Sequence, residues 1–237
     1  MHPPKFWYQK KRPFYAYPLH AIGKLIRYFG QRRFKDKPGY QGPVPIICVG
    51  NATVGGTGKT PTALLLREIA LQHFENPYFM TSGYGGSEQG PILVNDGDDP
   101  AQVGDEALLL AARGSVVLSK DRVAGAAFAE AQGADIIITD DGLQNHPCLH
   151  QNAAVLTVDR MRGFGNELLL PGGPLREPVD SALSKVTAVL LIGDPGLPVP
   201  KALEDLDIPV IPAVREVLLH GAALQNERVI ALSLIHI

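Results

Sequence analysis

The chain has 237 residues, of which 45% are hydrophobic and 19% are charged, so it can bury the core of a large α/β domain and is not a disordered chain. Its 2 cysteines are too few for a disulfide framework or a cysteine zinc site. The net charge of −2 is unevenly distributed, because residues 1–40 hold ten Lys or Arg and one acid, Asp36. A basic arm on an acidic body predicts an anionic partner, such as a membrane surface, a lipid phosphate or nucleic acid.

Apolar side chains recur at three- and four-residue steps near the N-terminus, which predicts a helix with one apolar face. The face comprises Leu19, Ile22, Leu25, Ile26 and Phe29. Two interpretations are open, an interfacial helix on anionic lipid or an ordinary helix packed on its own domain. Charges and prolines interrupt every apolar run of the N-terminus, so we expect no signal peptide. No stretch of about 18–20 apolar residues occurs, so we expect no membrane-spanning segment, and a cytoplasmic location is the default.

From residue 45 onward, short apolar strands alternate with helical stretches. Alternation of this kind predicts an α/β fold with a mostly parallel sheet and helices on both faces. The predicted strands are 46–49, 78–81, 116–118, 136–139, 155–158 and 189–192, and the predicted helices are 61–73, 105–112 and 122–132.

The strongest motif is a glycine-rich loop, VGNATVGGTGKT at 49–60, between a predicted strand and a predicted helix. Its glycines allow successive N–H groups to face a phosphate, and the following helix adds its positive end. Lys59 is expected to reach the β- and γ-phosphates, and Thr60 to ligate Mg²⁺. The usual pattern has glycine where this chain has Thr53. The expected nucleotide-binding residues are Thr53, Gly55, Gly56, Thr57, Gly58, Lys59 and Thr60.

Two adjacent carboxylates, Asp140 and Asp141, follow the predicted strand 136–139. Ligands of open α/β sheets bind at this end of a strand, and an Asp there can hold Mg²⁺ beside a P-loop. The alternative is a solvated Asp-Asp-Gly turn.

Three other charged segments have plain interpretations as well as functional ones. Asp105 could be a helix N-cap, Arg122 a helix-surface residue, and Arg176 with Glu177 an exposed pair. The glycines and prolines around Arg176 and Glu177 favour a functional role, because they restrict where those side chains can lie.

Together these motifs resemble tetraacyldisaccharide 4′-kinase, the lipid A 4′-kinase family of Gram-negative bacteria, over nearly the whole chain. The chain departs from the family at Ser82, where Arg is usual, and at Ala107, where Pro is usual. Residues 233–237 do not resemble the family's continuation, so we expect a chain truncated within a C-terminal lobe, without the family's catalytic-site histidine. The resemblance is carried by VGNATVGGTGKTP, GYGG at 83–86, VGDE at 103–106, DRVAGA at 121–126, DDGLQN at 140–145 and GFGNELLLPGGPLREP at 163–178.

The resemblance implies transfer of the γ-phosphate of ATP to the 4′-hydroxyl of a tetraacylated glucosamine disaccharide 1-phosphate, giving lipid IVA. It implies a P-loop NTPase-like fold, ATP and Mg²⁺ as cofactors, and a peripheral location on the cytoplasmic face of the anionic inner membrane. No nucleic acid and no obligate protein partner are expected. The expected domains are a membrane-associating segment at 1–40, a kinase core at 41–215 and the start of the truncated lobe at 216–237.

The resemblance also implies residue roles. Asp105 would take the proton of the sugar hydroxyl, while Arg122 and Arg176 would neutralise phosphate charge. The expected catalytic residues are Asp105, Lys59, Arg122, Asp140, Asp141, Arg176 and Glu177. The expected metal ligands are Thr60, Asp140, Asp141 and Glu106, and the weaker substrate-binding candidates are Tyr84 and Gln144.

A rival interpretation is a membrane-associated P-loop ATPase switch without lipid kinase activity. Such proteins carry a lysine directly before the paired glycines, where this chain has Val54. A nucleic-acid binder is disfavoured by the acidic body and by the lack of a recognition motif.

Overall fold

The computed structural model describes residues 3–9, 12–32, 39–143, 149 and 151–215. Within these residues the strands form one eight-stranded sheet in the order β3-β4-β2-β5-β1-β6-β7-β8. β3 runs antiparallel to β4, and the other neighbouring pairs are parallel, which confirms the predicted α/β fold. The strands are β1 Ile46–Gly50, β2 Pro77–Thr81, β3 Ile92–Val94, β4 Val116–Leu118, β5 Ile136–Asp140, β6 Ala153–Asp159, β7 Ala188–Ile192 and β8 Val210–Ala213.

Helices cover both faces of the sheet, as predicted. Successive residues of a strand point to opposite faces, so Phe79 and Met80 of β2 enter different cores. Phe79 packs with apolar residues of α2 and α4, whereas Met80 packs with those of α5. The helices are α1 Ala16–Arg32, α2 Lys59–Ala70, α3 Pro100–Val103, α4 Asp105–Ala111, α5 Arg122–Ala131 and α6 Val179–Leu183, with 3-10 turns at Lys5–Tyr8 and Lys201–Leu203.

Short and edge elements were missed by the sequence analysis. β3 has three residues and follows Pro91, and β8 contains Pro212 at the other edge of the sheet. Proline lowers the strand signal of a segment because it has no N–H to donate to a neighbouring strand. It is tolerated at a sheet edge, where one side of the strand has no neighbour. The helix predicted at 61–73 begins earlier, at Lys59, and ends at Ala70.

The helix predicted near the N-terminus is present as α1, and one of its faces packs on the domain. Ala16 is fully buried, and the backbone N–H of Leu169 donates to His20 Nδ1 at 2.8 Å. A Cβ on Gly23 would collide with the carbonyl of Leu170, so helix and loop are in close contact. Before the helix, Trp7 Nε1 donates to the carbonyl of Pro171 at 3.2 Å.

The opposite face of α1 is apolar and exposed. Ile22, Leu25, Ile26 and Phe29 are 49%, 57%, 63% and 58% exposed, respectively. The face identified from the sequence is therefore the outward one, and the inward face is built from smaller and polar residues. Among the described residues, no helix combines the length and apolar character needed to cross a bilayer. The predicted lobe at 216–237 lies outside the described residues.

Candidate active site

The glycine-rich loop joins the end of β1 to the start of α2. Gly58 has φ +93°, a left-handed conformation that glycine adopts without steric cost, and α2 begins at the next residue, Lys59. The loop is anchored from below by Thr157 of β6, whose hydroxyl lies 2.8 Å from that of Thr57 and also donates to the carbonyl of Gly50 at 3.2 Å. The loop N–H groups and the N-terminus of α2 thus have the local geometry of a phosphate site.

A second loop pairs with the first half of the glycine-rich loop. Val54 N–H donates to the carbonyl of Pro174, and Arg176 N–H donates to the carbonyl of Ala52, both at 2.8 Å. Thr53 lies between these two bonds and is buried. The pairing brings Arg176, which is 120 residues away in the sequence from Gly56, next to the phosphate-binding loop.

Thr60 and Asp140 meet at the carboxyl end of the sheet. The Thr60 hydroxyl donates to Asp140 Oδ2 at 3.0 Å, and Asp140 is 2% exposed. Burial raises the pKa of Asp140 to about 6, with Lys59 acting against this rise and the charge of Glu106 adding to it. Such a carboxylate is ionised at neutral pH but takes up a proton in mildly acidic solution.

The same pair fits a magnesium ion. Asp140 Oδ1 is buried and accepts no hydrogen bond from the described residues, so it has acceptor capacity that this part of the chain does not use. Mg²⁺ prefers oxygen ligands and binds P-loop proteins through one or two such groups together with the phosphates of the nucleotide. Asp140 and Thr60 supply two oxygen atoms of this kind, and Glu106 adds negative charge nearby.

Asp141, the neighbouring carboxylate, is paired differently. One nitrogen of Arg176 donates to both of its carboxylate oxygens, at 2.7 and 2.8 Å. Burial by itself would raise the pKa of Asp141, but Lys59, Arg176 and Arg122 together hold it below its ordinary value. The two adjacent aspartates therefore differ in pKa. The pKa of Asp140 is raised, whereas that of Asp141 is lowered by the surrounding cations, so Asp141 stays ionised.

Arg122 is buried, although the plain interpretation placed it on a helix surface. It is 6% exposed, and its guanidinium donates to the carbonyls of Met80 and Asp140, both at 3.3 Å. The residue begins α5, where the preceding Asp121 caps the helix through its side chain. Arg122 thus ties the ends of β2 and β5 together and places a positive charge behind the two aspartates.

A cavity of about 400 Å³ opens beside these groups. It is lined by residues 82–86, which include Tyr84, together with Lys120, Arg122 and Asp141. The sequence analysis named Tyr84 but missed Lys120, which lies two residues after the end of β4 and belongs to no glycine-rich motif. A lysine two residues after an apolar strand, just before the Asp-Arg pair, is the signal that could have indicated it.

Asp105 and Glu106 form the first turn of α4. Gly104 occupies the N-cap position with φ +85°, so Asp105 is not the cap residue, and its side chain is exposed. The charge of Glu106 helps to raise the pKa of Asp140, so Glu106 lies within electrostatic range of that carboxylate. Gln144, the other weak candidate, lies outside the described residues.

Glu177 is not brought into the group around Asp140 and Asp141. Its carboxylate accepts hydrogen bonds from Lys185 Nζ at 2.6 Å and from Ser181 Oγ at 2.8 Å, on the side of α6 and α1. The residue is 3% exposed, so the plain interpretation of an exposed Arg-Glu pair does not hold. Its neighbour Arg176 points instead toward Asp141.

A further residue missed from the sequence is Arg215, which follows β8. One of its guanidinium nitrogens lies 3.1 Å from the position that a Cβ on Gly58 would take. Arg215 is therefore a further cation beside the phosphate-binding loop, in addition to Lys59 and Arg176. No motif surrounds Arg215, so only the parallel placement of β8 in the sheet reveals its location.

Comparison with known proteins agrees with this geometry. The sequence profile of the LpxK family, described as tetraacyldisaccharide-1-P 4′-kinase, matches residues 14–232. The tetraacyldisaccharide 4′-kinase of Gluconobacter oxydans is 44% identical over 193 residues, which are 81% of this chain and 58% of the relative. That of Parvibaculum lavamentivorans is 46% identical over 202 residues, covering 81% of this chain and 57% of the relative.

A solved structure is also similar, the crystal structure of LpxK from Aquifex aeolicus in complex with ATP. It is 26% identical with a TM-score of 0.66, and the match covers 83% of this chain and 63% of that one. The chain thus spans less than two thirds of the length of the relatives that it matches. Since the profile match extends over most of its residues, the chain belongs to the tetraacyldisaccharide-1-P 4′-kinase family.

Proposed function

We propose that this chain is the nucleotide-binding part of an ATP-dependent kinase that phosphorylates the 4′-hydroxyl of a tetraacylated glucosamine disaccharide 1-phosphate. The observation that carries the proposal is the convergence of the phosphate-binding loop, the Thr60–Asp140 pair and the Arg176–Asp141 pair at one end of the sheet. Family membership supports this substrate, because the relatives are named for this reaction.

The residues divide the work of phosphoryl transfer. The amides of the loop and Lys59 would hold the β- and γ-phosphates of ATP, and Thr60 with Asp140 would hold Mg²⁺. When bound, Mg²⁺ supplies positive charge that neutralises the phosphate oxygens. Arg176 and Arg122 add fixed positive charge close to Asp141, where it is strengthened by partial burial.

Asp105 is proposed as the base on the acceptor side. The 4′-hydroxyl oxygen would attack the γ-phosphorus, the bond from that phosphorus to ADP would break, and the hydroxyl proton would pass to the Asp105 carboxylate. The cavity lined by Tyr84 and Lys120 borders Asp141 and is the proposed place for the sugar ring. Lys120 would contribute a donor for a sugar oxygen or phosphate.

Helix α1 is proposed to rest on the anionic inner membrane, from its cytoplasmic face. The exposed strip of Ile22, Leu25, Ile26 and Phe29 fits the acyl boundary, and the basic residues of 1–40 fit anionic head groups. The rival interpretation as an ATPase switch is not favoured, because the family to which the chain belongs is one of kinases.

The test is a phosphorylation assay with the tetraacyldisaccharide 1-phosphate, ATP and Mg²⁺. This chain is compared with a form extended by the C-terminal sequence of a relative. Both should bind Mg-ATP with similar affinity, whereas only the extended form should transfer phosphate at an appreciable rate, since misplacement by about 1 Å can cost about 10²-fold. ATP hydrolysis without any lipid product from either form would refute the proposal.

A further inference from the structure

Helix α1 contacts the loop that carries Arg176 through His20 and Gly23, and it contacts the segment just after Arg176 through Arg27. Arg27 lies one turn after Gly23 on the face that packs on the domain, and its Nη2 donates to Ser181 Oγ at 2.9 Å. The same nitrogen lies 3.9 Å from Glu177 Oε2. Ser181 completes the link, because its hydroxyl contacts Glu177 Oε2 at 2.8 Å.

The Glu177 carboxylate is a fixed point in the structure. It is held between α1 and α6, with Lys185 just beyond α6 donating at 2.6 Å. Moving a buried carboxylate away from its cations is costly, because the unpaired charge would remain desolvated. The backbone at Glu177 is thereby held in place by side chains from two helices.

Arg176 and Glu177 are held from opposite sides. The backbone N–H of Arg176 donates to Ala52 in the phosphate-binding loop, and its guanidinium donates to Asp141. The side chain of Glu177 projects the other way, toward Arg27. Because the two residues are adjacent in the chain, a displacement of Glu177 necessarily moves Arg176.

We propose that Arg27 is a positioning residue of the kinase site, acting through Ser181 and Glu177 to hold Arg176 against Asp141. The proposal rests on the proposed function in that Arg176 is taken to face the phosphates of ATP. Arg27 itself touches neither nucleotide nor acceptor. The helix whose outer face is proposed to meet lipid thus sets, through its inner face, the location of a phosphate-binding cation.

Arg27 can be replaced without leaving a buried charge unpaired. In Arg27→Met, Glu177 keeps Lys185 and Ser181 as partners, so the fold is expected to survive. Arg27→Lys retains a cation that can approach Ser181. Lys24→Met is the matched control, because Lys24 is exposed on the same helix and the change removes the same charge. Ser181→Ala breaks the same link from the side of α6.

The first measurement is the affinity of this chain for Mg-ATP by titration calorimetry at 25 °C. Arg27→Met and Ser181→Ala should each weaken binding about 3- to 10-fold, within the range of interactions among residues of one network. Arg27→Lys should restore most of the loss, and Lys24→Met should bind like the parent. Parent-like binding by both Arg27→Met and Ser181→Ala would overturn the proposal.

A double-mutant cycle then separates positioning from general destabilisation. If Arg27 acts through Arg176, Arg27→Met should have little further effect on Mg-ATP affinity in a chain that already carries Arg176→Met. An equal loss in both backgrounds, or a loss that follows the melting temperature alone, would show a merely structural role. If the cycle is non-additive but the extended protein phosphorylates no lipid, the positioning role stands and the kinase assignment fails.

Discussion

Thr60, the last residue of the glycine-rich loop motif, donates its hydroxyl hydrogen to Asp140, the last residue of β5, at 3.0 Å. β5 lies directly beside β1, from which the loop departs, so the sheet itself sets the spacing between the two side chains. One oxygen of the carboxylate accepts the hydrogen bond from Thr60, while the other has no hydrogen-bond partner in the part of the chain that the structure describes. The pair is thus a preformed site with capacity for one more ligand.

Asp140 should make the stability of the metal-free chain depend on pH. Its folded-state pKa of about 6 lies above the ordinary value of 3.8, so between these values the folded state binds more protons than the unfolded state. Stability therefore falls as pH rises through this window, and the ionised form costs on the order of 3 kcal/mol above it. Asp140→Asn should flatten the dependence and raise the free energy of unfolding at pH 7.5 in urea titrations with EDTA. A variant that is less stable than the parent at pH 7.5 would contradict the assignment.

Replacement of Lys59 should reduce phosphate transfer without disturbing the fold. Lys59 is half-buried at the first position of α2, where alanine is well tolerated, so Lys59→Ala should fold normally. Phosphate transfer should fall about 10²–10³-fold in the extended protein, the usual cost of losing one charge-stabilising donor. Lys201→Ala, at an exposed 3-10 turn, is the control, and initial rates at saturating ATP are the measurement. Parent-like turnover in Lys59→Ala would rule out the phosphate-binding role.

Asp105 should be required for transfer but not for nucleotide binding. Asp105→Asn keeps the size of the side chain at the first position of α4, so the fold should be retained. Loss of a general base should slow transfer about 10²–10⁴-fold with an unchanged affinity for ATP. Single-turnover rates in the extended protein would measure this effect. A transfer rate within about 3-fold of the parent rate would show that Asp105 is not the base, because loss of a general base usually costs far more.

The outer face of α1 should govern binding to anionic vesicles. Replacing Ile22, Leu25 and Ile26 together by serine should weaken partitioning strongly, because each buried side chain of this type contributes about 1.5–3 kcal/mol. Leu65→Ser, on the exposed face of α2 with a similar exposed fraction of 52%, is the control. Sedimentation with vesicles of mixed anionic and zwitterionic lipid is the measurement, and unchanged partitioning would show that α1 does not enter the bilayer surface.

Point substitutions on α1 test membrane binding more specifically than deletion of the N-terminal segment would. A deletion through residue 35 would also remove Trp7 and His20, which bond the loop that carries Arg176. Loss of activity after such a deletion would therefore not distinguish membrane binding from damage to the site.

Gly23 should be a sensitive position for stability. A methyl group there would meet the carbonyl of Leu170 and the Cβ of Leu169, so Gly23→Ala should destabilise the chain by about 1–3 kcal/mol through overpacking. Gly97→Ala is the matched control, because a Cβ at Gly97 would have nothing within 4 Å. Thermal unfolding compares the two, and equal melting temperatures would show that α1 does not pack closely on the loop.

Much of the core could be predicted from local sequence. The strand before Gly50, the helix from Lys59 and the strand ending at Asp140 each follow from the periodicity and glycine content of a few neighbouring residues. Because parallel strands end at one edge of a sheet, the proximity of Thr60 to Asp140 could also be expected. The apolar face of α1 was identified correctly for the same reason, since it depends only on spacing along one helix.

Only the tertiary structure decided which partners the adjacent charged residues Asp140–Asp141 and Arg176–Glu177 contact. Asp140 accepts a hydrogen bond from Thr60, and Asp141 accepts hydrogen bonds from Arg176. The Glu177 carboxylate lies near Arg27 instead. Spacing along the chain cannot distinguish these outcomes, because adjacent side chains point in opposite directions and each meets a partner from a distant segment. Lys120 likewise became a cavity residue only when the end of β4 was placed beside that of β2. Local periodicity determines which elements form, whereas long-range packing determines which side chains meet between them.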